Sequence, residues 1–270
     1  MHKGYELLSL PTESFNNFDS LYKSGLIRYD SRKSKIKTQI DSFVKPDGHL
    51  DGSKMQANWF PQITADIFIS HSHADKKLAV VFSQWLYKNF GLEVFIDSCI
   101  WGHADKLLEM IDKRCCFDSK KGIYDYKKRN FSTSHVHMIL STALSMMIDN
   151  AECIIFLNTP NSITPNDVIN GNNGITKSPW IYSEIAMTRL IRQKPLDDYR
   201  KRRRLMESAT EVKTFSISVD YSINTEHLHP LCIKDLNQWE KKWQYYGKPY
   251  SNDYKEYALS ELYKITLNNK

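Results

Sequence analysis

Trp180 and Glu184 stand four residues apart in Ser178-Pro179-Trp180-Ile181-Tyr182-Ser183-Glu184, a stretch that opens with a helix-start signal, Ser followed by Pro. On a helix, that spacing puts both side chains on one face. A carboxylate there can stabilise a developing positive charge while the aromatic ring stacks on a cationic group. The same pair is common on amphipathic helices, with Trp in the core and Glu in solvent, so the spacing by itself leaves both readings open. A second constellation is His71-x-His73-x-Asp75. Alternating imidazoles on an extended loop can share one metal ion. His71 also reads as a residue that bonds the backbone of a turn, and Asp75 as the N-cap of a following helix.

The elements that must position these groups alternate between strand and helix. Ile67-Phe68-Ile69 is a short apolar run that stops at Ser70-His71-Ser72, and Leu78, Val81, Phe82, Trp85 and Leu86 then recur at helical spacing before Gly91. The pattern predicts a strand over 66–70 and a helix over 75–90. A second strand is expected over 92–97, ending in Asp97-Ser98 just before Trp101. Residues 103–150 read as two helices around a polar loop, the first over 104–116 and the second starting at Ser132 or Thr133. A third strand is expected over 152–157. A Gly/Asn-rich loop at 171–174 leads to the helix that carries Trp180 and Glu184. A fourth strand over 212–219, a short fifth near 231–233 and a closing helix over 253–266 complete the chain. Residues 1–61 read as a charged helical extension, because Phe15, Phe18, Leu21 and Tyr22 recur at helical spacing, as do Ile36, Ile40 and Phe43. The expected fold class is α/β, a mostly parallel sheet of about five strands with helices on both faces and ligands at the carboxyl ends of the strands.

Composition narrows the functional classes. A hydrophobic content of 41% and a charged content of 25% over 270 residues are ordinary for a globular chain. No apolar run approaches the ~20 residues that span a bilayer, so no membrane partner is expected. The amino terminus lacks the apolar core of a secretory signal. Five cysteines with no CxxC pair suit a reducing compartment, and a cytoplasmic location is expected. The net charge of +6 is a mild excess, much of it in Arg200-Lys201-Arg202-Arg203-Arg204. No aromatic residue interleaves that run, so it reads as a solvated helix end or loop and nucleic acid is not expected as a partner.

Three segments in order carry a family resemblance: Asp66-Ile67-Phe68-Ile69-Ser70-His71-Ser72, then Val94-Phe95-Ile96-Asp97-Ser98, then the Trp180-x-x-x-Glu184 helix. Together they resemble the Toll/interleukin-1 receptor (TIR) domain family, in particular the bacterial antiphage type found in Thoeris systems. The resemblance covers about residues 62–266. It implies a flavodoxin-like TIR domain over 62–270 with a helical insertion at about 103–150, a departure from animal TIR domains. It further implies an enzyme that cleaves NAD at the nicotinamide–ribose bond and releases nicotinamide with an ADP-ribose-derived signal, cyclic or conjugated, in antiphage defence. NAD is then substrate, and no cofactor or metal is implied. Glu184 takes the catalytic role, with Ser70, His71, Asp97, Ser98, Trp101 and Trp180 around the dinucleotide. Self-association through TIR surfaces and a downstream effector that senses the product are the implied partners.

The residue chemistry agrees with that implication. A ribosyl-pyridinium already carries a cationic leaving group, needs no general acid, and breaks through an oxocarbenium-like transition state that one carboxylate can stabilise. Two other readings stand beside it. A non-catalytic TIR adaptor has no use for a carboxylate held in a pocket with Trp180. A metallo-β-lactamase-like hydrolase would use His71-x-His73-x-Asp75, but Lys76 stands where that run normally continues with His, and 10 Gly in a chain rich in helical stretches do not suit its β-sandwich.

Overall fold

Cys153-Ile154-Ile155-Phe156-Leu157 has no polar face, and a strand of that kind needs cover on both faces and partners along both edges. The computed structural model supplies both; it describes residues 1–32, 40–102, 104–163, 174–196, 199, 221–245 and 254–267. In chain order its elements are β1 (Lys3–Leu8), α1 (Phe18–Arg32), α2 (Gly52–Trp59), β2 (Ile67–Ser70), α3 (Lys76–Phe90), β3 (Val94–Phe95), α4 (Asp97–Ile100) and α5 (Ala104–Ile111). A π-helical turn (Asp112–Cys116) leads into β4 (Phe117–Asp118), β5 (Ile123–Tyr124), α6 (Tyr126–Asn150), β6 (Cys153–Asn158), β7 (Gly174–Thr176) and α7 (Pro179–Leu190). The last elements are β8 (Tyr221–Ile223), β9 (His229–Leu231), α8 (Ile233–Tyr245) and α9 (Tyr254–Leu267).

The expected α/β class is present as a five-stranded, all-parallel sheet in the order β3-β2-β6-β1-β9, flanked by helices. β4 with β5 and β7 with β8 form two small antiparallel pairs outside it. Counted from β2, β3 and β6, the spatial order is that of a doubly wound 2-1-3-4-5 sheet. The fourth slot, beside β6, is filled by the amino-terminal strand β1. The stretch expected as a fourth strand, 212–219, lies outside the described residues, as do the basic run 200–204 and His103.

β1 corrects the expectation of a helical extension over 1–61. α1 and α2 are helical, but the segment begins with a strand between β6 and β9, in register Tyr5 to Ile155 and Tyr5 to His229. Lys3, Gly4 and Glu6 are uncommon residues for an interior strand, and tertiary contacts account for each of them. The Lys3 ammonium lies 5.4 and 5.6 Å from the rings of Tyr5 and Tyr263 and donates to Thr266 Oγ1 at 3.4 Å. A Cβ on Gly4 would sit 2.7 Å from Leu228 Cδ2, so any larger residue here requires the Leu228 side chain to move aside. Asn158 Nδ2 donates to Glu6 Oε1 at 2.8 Å.

α1 closes on α3 at Gly25, where a Cβ would lie 2.8 Å from Val80 Cγ1. Its far end is tied to β3: Arg28 and Arg32 pair with Glu93, and Tyr29 Oη donates to the Val94 carbonyl at 3.1 Å. Trp239 of α8 stacks on Phe90 of α3 with centroids 3.8 Å apart. α6 packs against α2, α5 and α7. The helix over 76–90 and its Gly91 cap, left-handed at φ 67°, match the sequence reading. α6 starts six residues earlier than Ser132, capped by Asp125, which accepts from the Lys128 N–H. Ser132 is buried and donates to the Asp112 carboxylate instead. β3 spans two residues rather than 92–97, because Asp97 already begins α4. Among the described residues no helix is long and apolar enough to cross a membrane.

Because β1 is interior to the sheet, deleting residues 1–61 exposes one edge of β6. Such a truncated chain is expected to lose the cooperative thermal transition of the full chain in circular dichroism. Tyr5→Ala, at a fully buried ring, is expected to cost about 3–5 kcal/mol of unfolding free energy in a denaturant titration. A truncated chain that melts as cooperatively as the full one would restore the extension reading.

Candidate functional site

The chain runs from β2 through α3 to β3 on one side, then returns past β2 to β6 on the other. That reversal makes the carboxyl ends of β2 and β6 the topological switch point, where open α/β sheets form a crevice and place their ligands. Ser70 ends β2 there, in register with Phe156 of β6. α7 arrives from a different part of the chain. Ser178 caps it, accepting from the Ile181 N–H at 3.3 Å, and Pro179 takes the first helical position. Glu184 on this helix is only 5% exposed. Ser70 Oγ donates to its Oε2 at 2.6 Å, joining two of the three segments of the family resemblance. Burial lifts the Glu184 carboxyl well above the usual range, the neighbouring Asp97 carboxylate lifts it further, and the Ser70 bond opposes both.

The other wall is built from the end of β2 and the start of α4. His71 is buried, with Nε2 3.0 Å from Ser98 Oγ and Nδ1 3.9 Å from Asp97 Oδ1. Burial lowers the His71 pKa and outweighs the opposing pull of Asp97. The imidazole is therefore neutral at neutral pH, and its contact with Asp97 is a carboxylate beside a neutral ring rather than an ion pair. Lys76 Nζ donates to the Ser98 carbonyl at 2.7 Å, clamping α4 onto the first turn of α3. Asp97, with 35% of its side chain exposed, is the solvent-facing acid of the group.

Asp75 occupies the N-cap position of α3, but its side chain bonds no N–H of that helix. Its carboxylate reaches across the crevice floor and accepts from Thr159 Oγ1 and from Asn161 Nδ2, the latter at 2.8 Å. Ser162 Oγ in turn donates to the Leu157 carbonyl at 2.9 Å. The loop after β6 is thus tied to the loop after β2. The polar strand end Asn158–Ser162 was the signal in the sequence; its pairing with Asp75 was not readable there.

Ser70, His71, Asp97, Ser98 and Glu184 are brought together, while two expected site residues are placed differently. Trp101 is 2% exposed, its indole N–H donates to the Pro61 carbonyl at 2.9 Å, and its ring packs edge-on against Phe60 and Phe95. It is a core residue under the loop, not a wall of the crevice. Trp180 is half-buried, and one ring face is stacked on His137 of α6 with centroids 5.4 Å apart. Its ring also packs against the main hydrophobic core, which leaves it partly exposed. In the former metal constellation, His71 is buried against Ser98, His73 is exposed and Asp75 is engaged with Thr159 and Asn161. Among the described residues, no three His, Cys, Asp or Glu side chains are placed to share one metal ion.

Chemically, the crevice offers one buried carboxyl held by a hydroxyl, one solvent-facing carboxylate and a neutral imidazole. That set favours a ligand that brings positive charge and hydroxyl groups. No family model, curated protein or solved structure matches the chain.

The raised pKa of Glu184 has a stability consequence. Its folded pKa lies above the reference value of 4.5. Its favourable contribution is therefore complete below that value and is lost as pH rises through the folded pKa. His71 runs the other way: its contribution is present above 6.5 and is lost as pH falls through its lowered pKa. Glu184→Gln isolates the first effect. The variant is expected to melt roughly 2–6 °C above wild type at pH 8, with the gap closing toward pH 4.5. Equal or lower stability of the variant at pH 8 would show that the ionised carboxylate supports the fold.

Proposed function

We propose that the crevice cleaves NAD at the nicotinamide–ribose bond, with Glu184 as the catalytic carboxylate, in a TIR-like domain of flavodoxin-like arrangement. The observation that carries this reading is the buried Glu184 carboxyl bonded to Ser70. An acid removed from water loses solvation, and a buried carboxyl with a raised pKa at the carboxyl ends of the strands is the kind of group that functional sites hold. A scaffold that merely pairs with other domains has no need of it.

In the proposed reaction, the ribosyl-pyridinium brings a positive charge beside Glu184 and Asp97. The C1′–N1 bond breaks, its electron pair leaves with neutral nicotinamide, and positive charge develops on the ribose ring. The Glu184 carboxylate stabilises that charge and accepts hydrogen bonds from the ribose hydroxyls. Ser70 acts as a positioning residue that fixes the carboxylate. The partly exposed Trp180 ring is the group proposed to stack on the nicotinamide. Water, or a hydroxyl or amine of a second acceptor, then bonds to C1′ and releases its proton. Self-association supplies the remaining wall, and the ADP-ribose product serves as a defence signal.

The test is nicotinamide release from NAD by the full chain at high protein concentration, followed by chromatography. Wild type should release nicotinamide, and Glu184→Ala and Glu184→Gln should lose about 10²–10³ of that rate. Ser70→Ala should lower kcat more than it raises KM. The active form of Glu184 is ionised, so the rate should rise with pH through its raised pKa, and Asp97→Asn should move that acid limb to lower pH. Wild type no faster than Glu184→Ala would overturn the reading.

A further inference from the structure

Residues 112–131, between α5 and the body of α6, take no part in the crevice chemistry, yet they carry a basic and aromatic surface. Over residues 112–131 stand seven basic and three acidic side chains, a net of +4 in a chain whose whole formal excess is +6. Every residue from 119 to 131 is solvent-exposed. The β4–β5 hairpin pairs Phe117 with Tyr124 directly across the strands, ring centroids 5.0 Å apart, and both rings remain 40% or more exposed. α6 then begins with Tyr126 at 77% exposure and shows Phe131 at 70%. Such rings cost free energy in water and find no cover among the described residues.

The cations fall into two groups. Lys113, Arg114, Lys121 and Arg129 are paired with Glu109, Asp41, Asp118 and Asp112 respectively, and the Arg129 guanidinium also lies 5.3 Å from the Tyr124 ring. Lys120 in the hairpin turn and Lys127 and Lys128 in the first turn of α6 have no ion-pair partner among the described residues. Unpaired ammonium groups on both sides of a set of exposed rings are the two components of a single-strand nucleic-acid platform: cations track the phosphates, and rings stack on the bases. We propose that the β4–β5 hairpin and the start of α6 bind single-stranded nucleic acid, with phosphates at Lys120, Lys127 and Lys128 and bases stacked on Tyr126 and Phe131. A lipid surface fits less well. The hairpin offers one exposed aliphatic side chain, Ile123, where membrane insertion needs a continuous apolar face. The aromatic interleaving that is missing from the run 200–204 is present here.

The inference stands apart from the NAD reading, and its test does not use that activity. A fluorescently labelled single-stranded DNA homopolymer is titrated with the full chain, followed by anisotropy, at several salt concentrations. Wild type should bind, with affinity falling as salt rises. Lys120→Ala/Lys127→Ala/Lys128→Ala should weaken binding tenfold or more and flatten the slope of log K against log salt by about 2, near 0.7 per lost phosphate contact. Tyr126→Ala/Phe131→Ala should weaken binding about tenfold with the slope unchanged, because stacking releases no counterions. All five side chains are exposed, and unchanged thermal melts verify that both variants fold. No binding at low salt, or equal binding by either variant, overturns the proposal. Binding of phosphatidylserine vesicles through these residues, with no binding of DNA, overturns it in favour of a lipid surface.

Discussion

β6 is hydrogen-bonded along both edges, to β2 on one side and to β1 on the other, and the rest of the molecule follows from that double pairing. A strand as apolar as Cys153–Leu157 is stable only when both edges and both faces are covered. The two neighbours come from residues 67–70 and 3–8, so the centre of the sheet is assembled from three distant parts of the chain. The pairing also fixes where the connections diverge. In the sheet, β3 lies on one side of the β2–β6 pair and β1 and β9 on the other, and the switch point at the ends of β2 and β6 brings Ser70, Asp75 and Thr159 together.

The polar groups at that crevice are held in pairs rather than singly. Asp75 is satisfied by Thr159 and Asn161, and His71 by Ser98, so both are positioned by the fold without a ligand. Glu184 differs. It has one short bond from Ser70, little exposure and a second carboxylate nearby that raises the cost of its charge. A fold selected for stability alone would place an apolar or amide side chain there. That imbalance supports the enzyme reading over the adaptor reading. The relation between the crevice and the basic, aromatic surface of the insertion is one of shared connectivity: α6 leads from that surface directly into β6 and also stacks His137 on Trp180 of α7.

Local patterns were legible wherever one segment decided its own structure. The α3 helix, its Gly91 cap, the Ser178-Pro179 start of α7 and the apolar runs of β2 and β6 all read directly from spacing and residue type. Reading failed where a polar residue was satisfied from far away. Lys3 and Glu6 argue against a core strand until Tyr263, Thr266 and Asn158 are in place. Ser132 looks like a helix cap until Asp112 is beside it. Trp101 looks like a site residue because it follows Asp97-Ser98, and only the packing of Phe60 and Phe95 with the Pro61 carbonyl turns it into the core.

The sequence by itself determined the α/β class, the polar strand ends at Ser70 and Asn158, and the presence of a carboxylate one helical turn from an aromatic ring. Those follow from periodicity and residue chemistry, which act over a few residues. Tertiary structure decided that the first strand of the chain lies beside β6, that His71, His73 and Asp75 part company, and that Glu184 is buried against Ser70. Each of these depends on contacts across tens to hundreds of residues, and the burial of a charge is set by what surrounds it, which no local spacing records.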